Sequence, residues 1–501
     1  MKKYTIKIGM ILIGVVSLIT ACSDEFVNED PPYAIDSENY FNGKEDYENA
    51  LIGAYDLLQS SYVNVLLGEI ASDNTLSGGE SATDVVGFQQ IDDMIHTPVN
   101  SNLKDIWNWM FAGVYRTSYI LEFKDKTDFE GKNQIIAEAR FLKAYYNFEL
   151  VKWFGPIPIK VDQRFGVKDV ETIPRSPVSE VYANIESDLL FAIDNLSPTA
   201  SQQGRATKGA AQALLGKVYL YQDKFVNAAN VLEDVILDGN YSLVTDYNTL
   251  FENSQENGPE SVFEIQYSDA QGAGFGCLQC SEGNVAVGFN GIRNYDGPLF
   301  DSGYSFNVPT QEVYNSFEVG DNRRDVAILN IDSWATSNAS WVNAQQTNGI
   351  LYGQGYKHTG FFNRKYLPRK GDSNVGDQNL TNPNNYRAIR YADVLLMAAE
   401  AFNRGGIDDG KARTYLNLVR RRAFGDTNHD ISASGAALTD FILAERRLEL
   451  VGEGHRFFDL VRTNTAVGTI PGFTAGKNEI FPVPFEEIQF SNGNWQQNPN
   501  Y

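Results

Sequence analysis

Apolar residues recur at three- and four-residue spacing along much of this 501-residue chain, the period that lines one face of a helix. The pattern predicts helices over about 44–60, 103–124, 134–154, 177–195, 207–221, 225–238, 388–404, 409–423 and 437–451. They fall in adjacent pairs, and each pair presents an apolar face that it cannot bury alone. The clearest pair spans 210–237. Leu215-Gly216 and Tyr219 in the first helix, with Ala228 and Leu232 in the second, match tetratricopeptide spacing, with Gln212 where that repeat prefers Trp. Small Gly216 and Ala228 let two antiparallel helices cross closely, and Tyr219 and Leu232 fill the gap. The pair 388–404 and 411–423, divided by Gly405-Gly406, has the same form. The expected fold class is mainly α: stacked tetratricopeptide-like pairs with a loop-rich insertion.

Two stretches break the period. Residues 71–102 are rich in Asp, Gly, Ser and Thr, and residues 240–385 are rich in Gly, Asn and Tyr. Insertions into repeat folds collect on one face, often the binding face. The expected division is a signal segment 1–21, a Pro- and acid-containing tether 22–36, and a body 37–501. Helical pairs over about 44–238 and 388–463 frame a ligand-binding insertion at about 240–385.

The amino terminus begins with Lys2, Lys3 and Lys7, then an apolar run from Ile8 up to Cys22. At about fourteen residues the run is shorter than the ~20 that cross a bilayer, and it has the flanks of a secretory signal. Leu18-Ile19-Thr20-Ala21-Cys22 places small residues before a cysteine, and polar Ser23, Asp24 and Glu25 follow. That order resembles a bacterial lipobox, which predicts cleavage and lipidation at Cys22. The mature chain is then anchored to a membrane without spanning it.

Lipidation of Cys22 leaves one cysteine pair, Cys277 and Cys280. The C-x-x-C spacing suits a zinc half-site, a redox dithiol or a small disulfide. Zinc needs two more ligands, and no His lies within seventy residues; a redox dithiol expects a βαβ context, which this Gly-rich stretch lacks. A structural disulfide is the favoured reading. The formal charge is −23, and −26 once the three signal lysines are removed, which argues against nucleic acid and anionic membranes as partners.

Several ordered motifs carry a family resemblance. Glu138-Ala139-Arg140-Phe141-Leu142-Lys143-Ala144 leads to Trp153-Phe154-Gly155-Pro156; Gly204-Arg205-Ala206-Thr207-Lys208-Gly209 comes next. Arg390-Tyr391-Ala392-Asp393, Glu445-Arg446-Arg447-Leu448-Glu449 and Gly452-Glu453-Gly454-His455-Arg456 follow in order, and Phe481-Pro482-Val483-Pro484 through Asn498-Pro499-Asn500-Tyr501 closes the chain. Together they resemble the SusD/RagB family. The resemblance implies a surface lipoprotein held in the outer membrane by its lipid. Such a protein partners a SusC-like TonB-dependent transporter through tetratricopeptide-like helices and holds a glycan on a loop-rich face. No family residue is catalytic, and no cofactor is implied. Arg140, Arg390, Asp393, Glu445, Arg446 and Arg456 stand beside apolar residues on helices, where charged groups are expected to form internal ion pairs.

Nothing in the sequence marks an enzyme. There is no H-E-x-x-H, Gly472-x-x-x-Gly476-Lys477 is one residue short of a phosphate loop, and Gly272-x-Gly274-x-Gly276 has no helix start after it. No metal site is expected, and no carboxylate pair stands out as glycosidase machinery. Sugars offer apolar C–H faces and hydroxyl rims, so a binder needs aromatic platforms flanked by polar side chains. Trp334 and Trp341, set among Ser, Asn, Thr and Gln, are the first candidates; Tyr295, Tyr304, Tyr352 and Tyr356 beside glycines are the second. Asp73 and Asn74 are candidates to bond hydroxyls, or they shape a turn. Residues 241–385 hold 16 acidic and 8 basic side chains, which favours a neutral glycan, with a β-glucan as the guess within that class. The alternatives are a binding partner for peptide or another nutrient, as in RagB-type proteins, and a hydrolase.

Overall fold

The computed structural model describes residues 39–272, 274–372, 375–377 and 379–501. The signal segment, Cys22 and the tether 22–36 lie outside the described residues. The main helices are α1 (Lys44–Asp56), α2 (Tyr62–Ile70), α3 (Ser101–Glu122), α4 (Lys132–Phe154), α5 (Val178–Asn195), α6 (Lys208–Leu220), α7 (Phe225–Leu237), α8 (Tyr391–Arg404), α9 (Asp409–Phe424) and α10 (Gly435–Glu449). Among the described residues no helix is long and apolar enough to cross a membrane.

Local sequence sets the helix ends. The side chains of Asn100, Thr207 and Asp408 accept hydrogen bonds from the first free N–H groups of α3, α6 and α9. Gly425, at φ +78°, closes α9 in the left-handed conformation, and Gly155 ends α4 immediately before Pro156. α2 was not foreseen: the predicted 44–60 helix breaks into a 3₁₀ turn at Leu57–Ser61 and continues as α2. α8 also starts later than its pattern suggested. Residues Tyr386–Arg390 form a strand, because their backbone pairs with another strand and Arg390 is drawn toward buried carboxylates.

From α3 to α9 each helix packs on the next in chain order, and α10 packs on α8. At the α6–α7 crossing, a Cβ on Gly216 would lie 2.4 Å from Leu232, so only glycine admits this approach. Ala228 and Leu232 are fully buried opposite it. α7 and α8 pack directly on each other although residues 238–390 separate them in sequence. The irregular stretch therefore leaves and re-enters the helical stack at one place. Its two ends are tied there by antiparallel pairing of β2 (Ser261–Ile265) with β6 (Tyr386–Arg390). β1 (Thr75–Ser77) pairs with β3 (Asn307–Pro309), and β4 (Ile328–Asn330) with β5 (Phe361–Asn363).

A network of buried charges joins this excursion to the helices. Glu449, with no exposed surface, receives Arg323 at 2.8 Å, Arg390 at 2.5 Å and Arg422 at 2.5 Å. Arg323 also bonds Asp321 and Glu445, and Arg390 also bonds Glu260 and Glu453. Lys365 binds Glu453 at 2.6 Å, and burial pulls its ammonium down to about 8. Burial alone raises the Glu449 carboxyl, but Arg422, Arg390, Arg323 and Lys365 outweigh that and hold it well below 4.5. The signature charges behave alike. Arg140 pairs with Asp162 and Asp188, Arg446 with Asp393 and Asp459, and Arg456 with Asp73.

Removing one partner of a buried network strands the others. Glu449→Gln leaves three guanidinium groups short of charge, so it should lower the unfolding free energy by roughly 3–5 kcal/mol, read by chemical or thermal denaturation. The sign with pH follows from the depressed carboxyl. Its stabilisation is present above the unfolded value of about 4.5 and is lost as pH falls below it. The wild-type chain should lose more stability between pH 4.5 and 3 than the glutamine variant.

Candidate functional site

The two irregular stretches, far apart in sequence, meet at one edge of the molecule. Beyond the β1–β3 pairing, the Gly78 and Gly79 N–H groups donate to the Phe306 and Ser305 carbonyls, and the Tyr356 N–H donates to the Gly79 carbonyl. Gly78 and Gly79 admit these approaches, since a Cβ at either would lie within 3 Å of the facing segment. Residues 292–296 lie between two segments as an axis, with Ile292 and Arg293 paired to Ser302 and Gly303 on one side and residues 351–353 on the other. The Gly353 N–H donates to the Arg293 carbonyl at 2.7 Å, and Asp296 and Leu351 exchange backbone hydrogen bonds.

Around this axis lies a ledge of aromatic rings and charged groups. Phe275 is 61% exposed and lies 5.9 Å from the half-buried ring of Tyr304, which rests in turn on buried Phe289. The Tyr304 hydroxyl meets Asn379 and Asp377, which fixes the ring. Arg293 donates to the Tyr304 carbonyl at 3.2 Å and faces Asp84 at 3.4 Å and Glu80 at 3.8 Å. Among the described residues its Nε has no hydrogen-bond partner. Tyr356 adjoins through the Gly79 contact, beside exposed Gln354. A disulfide joins Cys277 to Cys280 just after Phe275 and ties down that end of its glycine-rich loop. Flat apolar rings beside carboxylate, amide and guanidinium groups offer stacking and hydroxyl bonding together, the two demands a sugar makes. Among the described residues, no group of three or more His, Cys, Asp or Glu side chains is placed to hold a metal ion.

The residues singled out from sequence divide by environment. Tyr304 and Tyr356 belong to the ledge. Asn74 has no exposure: its amide donates to Glu69 and accepts from Arg447. Asp73 is clamped by Arg456 and Arg447 at 2.8 Å each. Tyr295 is 7% exposed and uses its hydroxyl on the Pro298 carbonyl and the Trp334 indole. These three are interior groups, not hydroxyl-facing ones. Trp334 is half-buried on the short helix Ile331–Ser337, its Nε1 donating to Tyr295 at 2.8 Å and its ring 5.5 Å from Phe300. It walls a small secondary core of Ile292, Phe300, Leu329 and Phe362. Tyr352 reaches Asp332 at 3.4 Å, and Trp341 is half-buried under the Lys370 ammonium, 5.1 Å from its ring. Phe275, Arg293, Glu80 and Asp84 also form the ledge, with little in the sequence to mark them. Only the apolar ring of Phe275 in a run of glycines signalled it; the others are ordinary surface charges until the loops meet.

Comparison with known proteins agrees with this architecture. The family model described as "SusD family" matches residues 240–501, and one described as "Starch-binding associating with outer membrane" matches residues 25–220. The chain belongs to the SusD family. Its members bind carbohydrate at the outer membrane and are not enzymes. A SusD-like protein P2 from Formosa agariphila is 27% identical over 542 aligned residues covering both chains fully. A laminarin-binding SusD-like protein superposes with a TM-score of 0.82 at 32% identity, covering 92% of this chain and 100% of that one. Surface glycan-binding protein A from Bacteroides thetaiotaomicron, solved with laminarihexaose, gives 0.80 at 27% identity, covering 91% and 100%.

The environment of Trp334 makes a separable test of wall against platform. Trp334→Ala should lower stability by about 3 kcal/mol, near the bottom of the range for buried Trp truncations. Thermal denaturation checks this, and a variant that melts with the wild type would make Trp334 a surface ring after all.

Proposed function

We propose that this protein captures a neutral β-glucan of the laminarin type on the Phe275–Tyr304–Arg293 ledge and passes it to a SusC-like TonB-dependent transporter. The observation that carries the reading is the pairing of an exposed aromatic ring with an arginine, two carboxylates and amides at the meeting of two loops. Two similar structures, one named for laminarin and one holding laminarihexaose, support the choice of glycan. The lipobox-like Leu18–Cys22 stretch supports a lipid on Cys22 as the attachment to the outer membrane. The stack of helices from α3 to α9 supplies a broad preformed face for the transporter.

Titration of laminarihexaose into purified protein tests the site. Aromatic stacking on flat ligands contributes roughly 1–3 kcal/mol per ring, so Phe275→Ala should weaken binding by about 5- to 150-fold. Its melting temperature should not move, because the ring is 61% exposed. Undiminished affinity in a Phe275→Ala, Tyr356→Ala double variant would place the sugar elsewhere. The anchor has its own test: Cys22→Ala should move the protein from the outer-membrane fraction to the soluble fraction, and retention after washing would refute lipidation there.

A further inference from the structure

Apart from the ledge, the loop from α5 to α6 lies against the end of β2 and leaves an open hollow on each side. The hollows measure about 330 and 340 Å³, and Gln203, Gly204, Arg205 and Glu264 line both. They are therefore one site divided by a loop, with each half of a size that holds a small ligand.

The floor is rigid. Gly204, at φ +81°, sits so close to Gln266 that a Cβ would lie 2.4 Å from its side chain. Gln266 and Asn257 exchange amide hydrogen bonds at 3.0 and 3.1 Å, and Asn385 donates to Gln266 at 3.0 Å. The Asn257 N–H donates to the buried Glu264 carboxylate at 2.9 Å. The rim is free by contrast. Gln203 and Asn240 are exposed, and among the described residues their side chains make no hydrogen bond. Gln202 uses its carbonyl on Arg205 at 3.2 Å. A half-buried tyrosine stands in each half, Tyr241 in one and Tyr55 in the other. Their hydroxyls are tied to Thr207 and Glu138, and the Arg205 guanidinium lies 5.4 Å over the Tyr55 ring. Fixed rings beside unused amide groups suit the C–H faces and hydroxyl rim of a sugar. Asp56, Glu264 and Glu282 line the Tyr55 half, which disfavours an anionic glycan.

The site adjoins the loop that carries Phe275. The Leu278–Cys280 turn, closed by the disulfide, packs on the Leu57–Ser61 turn at the end of α1. Glu282 follows, accepts the Gln59 amide at 3.1 Å and lines the hollow. It stands seven positions after Phe275, so their Cα atoms lie at most about 25 Å apart.

We propose that the two hollows form a second saccharide site, which takes a further stretch of the uncharged glucan held on the ledge. A long chain then binds at two points, the second contact forming at the effective concentration set by the first. The site stands on its own geometry; only the choice of glucan rests on the proposed function.

Calorimetric titration of laminarihexaose into purified protein counts the sites. Wild type should bind two molecules per chain. Phe275→Ala with Tyr356→Ala should leave one, Gln203→Ala with Asn240→Ala should leave one, and all four changes together none. The Gln203 and Asn240 changes should melt with the wild type, since both residues are exposed. In affinity gels that pair should also weaken binding of long laminarin about tenfold or more, through loss of the linked contact. Hexaose and polymer binding unaltered by the Gln203 and Asn240 changes would overturn the proposal. Hexaose binding lost with those changes, and untouched by the Phe275 and Tyr356 changes, would keep this site and remove the ledge reading instead.

Discussion

A carboxylate with no access to water has to be matched by positive charge, and Glu449 is matched three times over. Arg323 comes from the long excursion, Arg390 from the strand where the excursion rejoins the stack, and Arg422 from α9. Each guanidinium would be costly to bury alone, so none of the three segments can leave without stranding the others. The helical stack and the loops it carries are therefore held in one register by electrostatics as much as by apolar packing. Lys365 extends the same network through Glu453 into the segment after β5.

This explains why the charged residues of the SusD motifs touch no candidate ligand surface. Arg140, Arg446, Arg456 and Glu445 are all spent on internal partners. Glu69 belongs to the same logic: it accepts the N–H groups of Gly452 and Gly454, and the approach is close enough that a Cβ on Gly454 would strike the Val65 backbone. The motifs specify a frame. The ledge is built from residues outside those motifs, and a site can change on a frame that stays constant.

Trp334 and Phe275 show why the ledge was only partly legible in sequence. Trp334 sits among Ser, Asn and Thr, a setting that suggests exposure, yet Phe300 and Tyr295 arrive from thirty or more residues away to enclose it. Phe275 stands in a run of glycines that suggests only mobility, yet its ring lies against Tyr304 and stays exposed. Asp73 and Asn74 looked free because their partners, Arg456 and Arg447, lie more than 370 residues further on. Local composition reports a residue's neighbours in the chain, and the fate of a polar or aromatic side chain depends on its neighbours in space.

Nine of the ten main helices were legible in the sequence, most to within three residues, because helical hydrogen bonds and apolar periodicity are both local; α2 was not. The α6–α7 crossing was also readable, since Gly216, Ala228 and Leu232 encode a close approach within one hairpin. The family followed from motif order. Tertiary structure alone decided three things: that residues 71–102 and 240–385 build a common edge, that the Glu449 network fastens the excursion to α9 and α10, and which aromatic rings face water. All three rest on contacts between distant segments. For such contacts the sequence supplies the participants and only the folded chain supplies the distances.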